Sequence, residues 1–192
     1  MTDEPWAGLA ARRHVPLRRL AAPGPDEAAL ERIFVAAAQA PDHGLLLPWR
    51  FILIPQERRP DLGRVFAQAL VWRDAGADDA AQAAAHDKAF HAPCLLAAVL
   101  ADDPAAPPIP VAEKLVSLGC AIQNMLLAAQ ALHFGSGLAS GAAMDAPGMR
   151  RLLRLAPHEQ AICFIGFGTG IAAKAPRVRP APARFVSVLG HT

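Results

Sequence analysis

Residues 115–144 contain no Asp, Glu, Lys or Arg. A stretch of that length without formal charge has to be covered, by lipid or by protein, and which of the two applies limits every fold open to the chain. The stretch includes Ser117, Gln123, Asn124, Gln130 and His133, and Gly135-Ser136-Gly137 interrupts it. A spanning helix needs about 20 consecutive, predominantly apolar residues. The polar groups therefore favour a helix buried in protein, over 111–132, with no membrane partner. That helix is apolar on nearly all sides, and in a chain of 192 residues the other helices cover only part of it. The uncovered face predicts a subunit interface, and so a homodimer with a large apolar contact and two-fold symmetry.

The length suits one domain, taken as 1–192. Nineteen Lys and Arg against 17 Asp and Glu leave a net charge of +2, too balanced for general nucleic-acid binding or for disorder. The 16 arginines outnumber the 3 lysines, a bias toward planar, bidentate anion contacts. Cys94, Cys120 and Cys163 lie far apart with no metal-ligand spacing, which predicts buried free thiols in a reducing compartment. The acidic start Met1-Thr2-Asp3-Glu4-Pro5 is unlike a secretory signal, so the expected location is cytoplasmic.

Periodicity predicts helices over 3–13, 26–39 (capped by Asp26), 60–73, 77–90, 111–132 and 145–154. Strands are predicted over 50–54, 94–101, 136–140 and 160–167, with a last extended piece at 184–188. Their irregular alternation with helices predicts an α+β layered domain.

Gly166-Phe167-Gly168-Thr169-Gly170 invites a dinucleotide-loop reading, but Pro176 and Pro180 break the helix such a loop must open. His86 and His91 are five residues apart, which puts them on different helix faces, and no metal motif occurs, so no metal site is expected. No Ser/His/Asp set stands out, and the catalytic residues are unknown. Two readings of Arg12-Arg13-His14 stay open. One is a cationic helix C-terminus; the other, shared with the Arg-rich tail, is a phosphate site. The densest segment is Ala40-Pro41-Asp42-His43-Gly44 followed by Pro48-Trp49-Arg50-Phe51. It specifies a rigid loop that presents Asp42 and His43, with Trp49 as a core anchor.

That segment resembles the small, single-domain branch of the FMN-dependent nitroreductase family. Arg12-Arg13-His14 stands where the family carries an Arg-Arg-Ser opening, and 88–93, Glu113, 119–129 and 159–169 match in order and spacing. The resemblance covers about nine tenths of the chain. It implies an α+β fold with a mostly antiparallel central sheet surrounded by helices, and a homodimer with FMN at the interface. The implied activity is that of an oxidoreductase that takes hydride from NADH or NADPH onto FMN and passes electrons to a small organic acceptor such as a nitroaromatic or quinone.

Position by position, Arg12, Arg13 and His14 are implied to contact FMN phosphate and ribityl. Gln39 and His43 are implied to reach the FMN of the partner subunit. Leu138, Ala139 and Ser140 would lie against the isoalloxazine ring, and Lys174 adds charge at the phosphate. The chain departs from the family at several points. His14 replaces a serine, Leu138-Ala139 replaces Trp-Arg, Ala112 replaces a tryptophan, His133 replaces a glycine and Gly170 replaces a proline. The loss of the Trp-Arg pair motivates the alternative of a non-catalytic flavin-binding or carrier protein of the same fold.

Overall fold

The computed structural model describes residues 4–170 and 178–190. Strand β3 (Cys94–Ala101) is the apolar run read from the sequence, and it is buried along nearly its whole length. It pairs antiparallel with β2 (Trp49–Leu53) on one edge and with β5 (Glu159–Gly170) on the other. Strand β4 (Gly135–Ala139) adds to β5, and the two-residue β1 (Leu20–Ala21) pairs with the end of β5. Every named ladder is antiparallel.

Because side chains alternate along a strand, each sheet face carries its own core. Leu96, Ala98, Cys163, Ile165 and Phe167 pack against α2 (Glu27–Ala37) and α5 (Val111–Ala131). Leu95, Ala97 and Phe164 face the other way, against α3 (Arg59–Arg73) and α6 (Pro147–Leu152). Ala161 belongs to this second core although it is two residues from Cys163. The register explains this, since Ala98 pairs with Cys163 while Val99 pairs with Ala161, leaving Ile162 extra. One inserted residue reverses the facing of the residues before it.

The predicted long helix is α5, and by length and composition alone it passes the test for a membrane span. In the fold, Leu118, Ala121, Met125 and Ala129 pack on the sheet core, and Lys114 pairs with Asp102 at 2.5 Å. The opposite face, with Ala112, Leu115, Val116 and Gly119, is exposed. At its C-terminus His133 adopts φ +65°, a left-handed position usually given to glycine. Phe134 N–H donates to the Ala129 carbonyl at 2.8 Å across that turn. The departure from glycine thus falls on a helix cap.

The Asp26 cap is observed, its Oδ1 accepting from Ala29 N–H at 2.8 Å. Other expectations are corrected. The 77–90 helix is α4 (Asp79–Asp87) followed by a separate turn, Lys88–Phe90. Residues 142–145 form a turn of their own before α6. The extended piece expected at 184–188 starts instead in a helical turn, Pro182–Arg184, and no ladder includes residues 185–188. Pro180 and Pro182 lack the N–H groups a ladder needs. Cys94 and Cys163 are buried free thiols as expected, whereas Cys120 is half-buried.

Candidate functional site

Two backbone requirements shape a cavity at the end of β4. A Cβ on Gly137 would stand 2.0 Å from the Val15 carbonyl oxygen, so only glycine lets the 14–15 segment cross β4 there. The crossing is fixed by the Val15 N–H, which donates to the Ser136 carbonyl at 2.8 Å, and by a parallel bridge between His14 and Ser136. It brings His14 Nδ1 to 3.5 Å from the Leu138 N–H. Four residues on, Gly141 has φ +153° and ψ −176°, a combination essentially confined to glycine, and turns the chain out of the strand.

The resulting cleft holds about 430 Å³. Leu138, Ala139, Ser140 and Gly141 form one wall, with His14 beside them. Leu17, Phe66, Leu95, Met144 and Phe164 contribute apolar surface. Arg18, Arg73, Lys88 and His91 supply the basic groups, and no Asp or Glu lines the cleft. Burial lowers the pKa of His91, and the neighbouring Arg18 and Lys88 charges lower it further against a smaller opposing pull from Asp87.

The 88–93 segment that carries Lys88 and His91 is anchored by Arg59, which is 1% exposed. Its guanidinium donates to the carbonyls of Ile54 (2.9 Å) and Ala89 (2.7 Å), tying the end of β2 to the turn before β3. Burial holds the Arg59 pKa below its usual value.

The residues singled out from sequence divide into groups. His14, Leu138, Ala139 and Ser140 share the cleft. Arg12 and Arg13 precede it without lining it, and the Arg13 guanidinium donates to the Ala10 carbonyl at 2.5 Å in the last turn of α1 (Glu4–Ala11). That contact is the helix-end role read from the sequence. Gln39 and His43 lie apart from the cleft. His43 lines a separate hollow with Glu113 of α5, Nδ1 to Oε1 at 2.5 Å. The loop around it is tied back on itself and anchored: Asp42 Oδ2 accepts from Leu47 N–H at 2.6 Å, and Trp49 Nε1–H donates to Ser117 Oγ at 2.9 Å inside the core. Lys174 lies outside the described residues.

Sequence reasoning missed Arg18, Arg73 and the basic role of Lys88, which come from three segments with no shared motif. The Gly166–Gly170 run forms the end of β5, which agrees with rejecting a phosphate loop. Among the described residues no group of His, Cys, Asp or Glu could hold a metal ion. Burial pushes the Cys94 and Cys163 thiols up to about 11, so neither is a thiolate at neutral pH.

The sequence pattern of the Nitroreductase family matches residues 9–169. The chain belongs to that family. A relative from Haemophilus influenzae, named "Putative NAD(P)H nitroreductase", is 34% identical over 154 residues, 80% of this chain and 83% of its own. Among solved structures, a nitroreductase-like protein from Bacillus cereus superposes with a TM-score of 0.83 at 18% identity, covering 100% of this chain and 98% of its own. A Bacteroides fragilis nitroreductase with bound FMN gives a TM-score of 0.72 at 20% identity, covering 98% and 100%. The nitroreductase fold expected from the sequence is thus established, including its antiparallel sheet and surrounding helices.

Proposed function

We propose that this chain is an FMN-dependent oxidoreductase that uses NADH or NADPH and delivers electrons to a small organic acceptor. The observation that carries this reading is the cleft itself, an apolar slot with a backbone wall at 138–141 and basic groups along its edge. A tricyclic ring needs apolar surface on which to lie, and about 430 Å³ falls in the usual range of small-ligand sites. The family relative named for NAD(P)H and the FMN-bound neighbour support the same assignment. When bound, FMN supplies the hydride and electron chemistry.

The protein's part is to bind and orient. Leu138, Ala139 and Ser140 lie along the ring, His14 meets the ribityl, and Arg12, Arg13 and Lys174 neutralise the phosphate. Gln39 and His43 of the partner subunit complete the site across a two-fold interface. Glu113 holds the Nδ1 side of the imidazole and leaves Nε2 for the ligand. Lys88 and Arg18 favour negative charge gathering on a ring held between them.

Protein purified without added cofactor is expected to be yellow and to bleach on mixing with NADH or NADPH. Changing Arg12 and Arg13 together to Ala is expected to release the flavin from a folded protein, read by absorbance and circular dichroism. Full FMN occupancy in that variant would overturn the phosphate assignment. A yellow protein that neither nucleotide bleaches would instead be a flavin carrier.

A further inference from the structure

Among the described residues three charged side chains are buried: Lys114, Glu159 and Arg59. The first two meet an opposite charge, Lys114 at Asp102 and Glu159 at Arg50, each at 2.5 Å. Arg59 meets no carboxylate among the described residues. Its Nε donates to the Ile54 carbonyl at 2.9 Å, and its Nη1 to those of Ala89 at 2.7 Å and Ala92 at 3.5 Å. Carbonyl dipoles satisfy the donors and leave the net charge in place. The titratable group that acts on the guanidinium is the Cys94 thiol. Burial pushes that thiol up to about 11, so it is neutral at pH 7 and supplies no counter-charge. Arg59 also opens α3, where the helix dipole disfavours a cation. Water and salt screen an exposed arginine, whereas a buried one without an anion keeps its field.

The groups around Arg59 stand directly behind the cleft. Ala89 follows Lys88, Ala92 follows His91 and Cys94 precedes Leu95, and Lys88, His91 and Leu95 all line the cavity. We infer that Arg59 is a positioning residue for charge, an internal cation behind the cleft wall that favours a reduced, anionic flavin over an oxidised, neutral one. The inference rests on the flavin reading for its ligand and on the burial of Arg59 for its charge. A hydride brings two electrons and one proton, so a ring that accepts one gains a full negative charge. Arg18 and Lys88, which are exposed, act on that charge through solvent, and Arg59 acts on it through protein.

The test is the midpoint potential of the bound flavin, read by equilibration with a reference dye, in the unaltered protein and in Arg59→Met, Arg59→Gln and Arg59→Lys. Gln56 holds the same turn through the Pro93 carbonyl at 3.0 Å, so the segment keeps a second tie in each variant. Both neutral replacements are expected to lose about tenfold in preference for reduced over oxidised flavin, or about 30 mV for a two-electron couple. Arg59→Lys is expected to match the unaltered protein at low pH. A buried ammonium releases its proton in an accessible range and a guanidinium does not, so the lysine variant's potential is expected to fall below the unaltered protein's as pH rises. That arm switches the charge within one folded protein and carries the test where the neutral variants do not fold. A neutral variant that folds and keeps the unaltered potential overturns the inference. Where neither folds, so does a lysine variant whose difference from the unaltered protein stays constant between about pH 6 and about pH 10. A yellow protein whose potential ignores Arg59 defeats the inference alone. One that neither carries nor takes up FMN defeats the flavin reading, and the inference with it.

Discussion

Glu159 shows how much one side chain can organise. At the start of β5 it is 9% exposed, and its two oxygens take Arg50 Nε at 2.5 Å and Nη2 at 2.8 Å. The Ala156 N–H also donates to it, at 2.9 Å. The hydrogen bond from Arg50, outweighing desolvation and helped by Ala156, lowers the carboxyl pKa to about 2. Because the folded pKa is depressed, the unfolded chain binds more protons through the carboxylate range. The resulting stability is fully present above the ordinary pKa and is lost as pH falls toward about 2. After discounting for the exposed Arg50, it amounts to about 2 kcal/mol. Urea unfolding of Glu159→Gln is expected to fall short of the unaltered protein by that margin at neutral pH and to converge on it near about pH 2. A gap that persists unchanged would refute this account. Gly137 acts through space instead of charge. Gly137→Ala would drive a methyl into the Val15 carbonyl, and such overpacking costs about 1–3 kcal/mol. The displaced segment carries His14, so FMN occupancy is expected to fall while helix content holds.

Among the elements, those read well from sequence have an unmistakable one-dimensional signal. The apolar run of β3 has the expected bounds because both its faces are buried, and α5 is legible because few charges interrupt it. Asp26 announces its cap, and Trp49 its place in the core. The elements that escaped lacked such a signal. Two residues of β1 are too few to show alternation. The bulge at Ile162 is invisible because apolar residues flank it on both sides, and only pairing with β3 reveals which is extra. At the candidate site, Leu138–Ser140 and His14 are legible through family resemblance, and the Gly137 crossing explains their meeting. Arg18, Arg73 and Lys88 line one cleft because α3 and the turn after α4 pack on the same sheet face as the turn at Leu17. No spacing along the chain encodes that.

For the whole molecule, the question is which surface covers α5. Ala112, Leu115, Val116 and Gly119 fall at helical spacing on one exposed face, and Val116 is 65% exposed. A second copy related by a two-fold axis would cover this face with itself, so each contact occurs twice. Under the proposed assembly His43, which pairs with Glu113 on this helix, would be carried toward the partner's cleft. Val116→Glu tests assembly and cofactor site together. In an isolated subunit the carboxylate is solvated and costs little. In a dimer the change removes two valine burials, each worth about 1.5–3 kcal/mol, and leaves two charges without partners. Sedimentation is expected to show monomers at micromolar concentration, with a circular dichroism spectrum like that of the unaltered protein and with FMN lost on gel filtration. A variant that stays dimeric and yellow would mean that α5 is not the interface, and the assignment of Gln39 and His43 to the neighbouring flavin would fall with it.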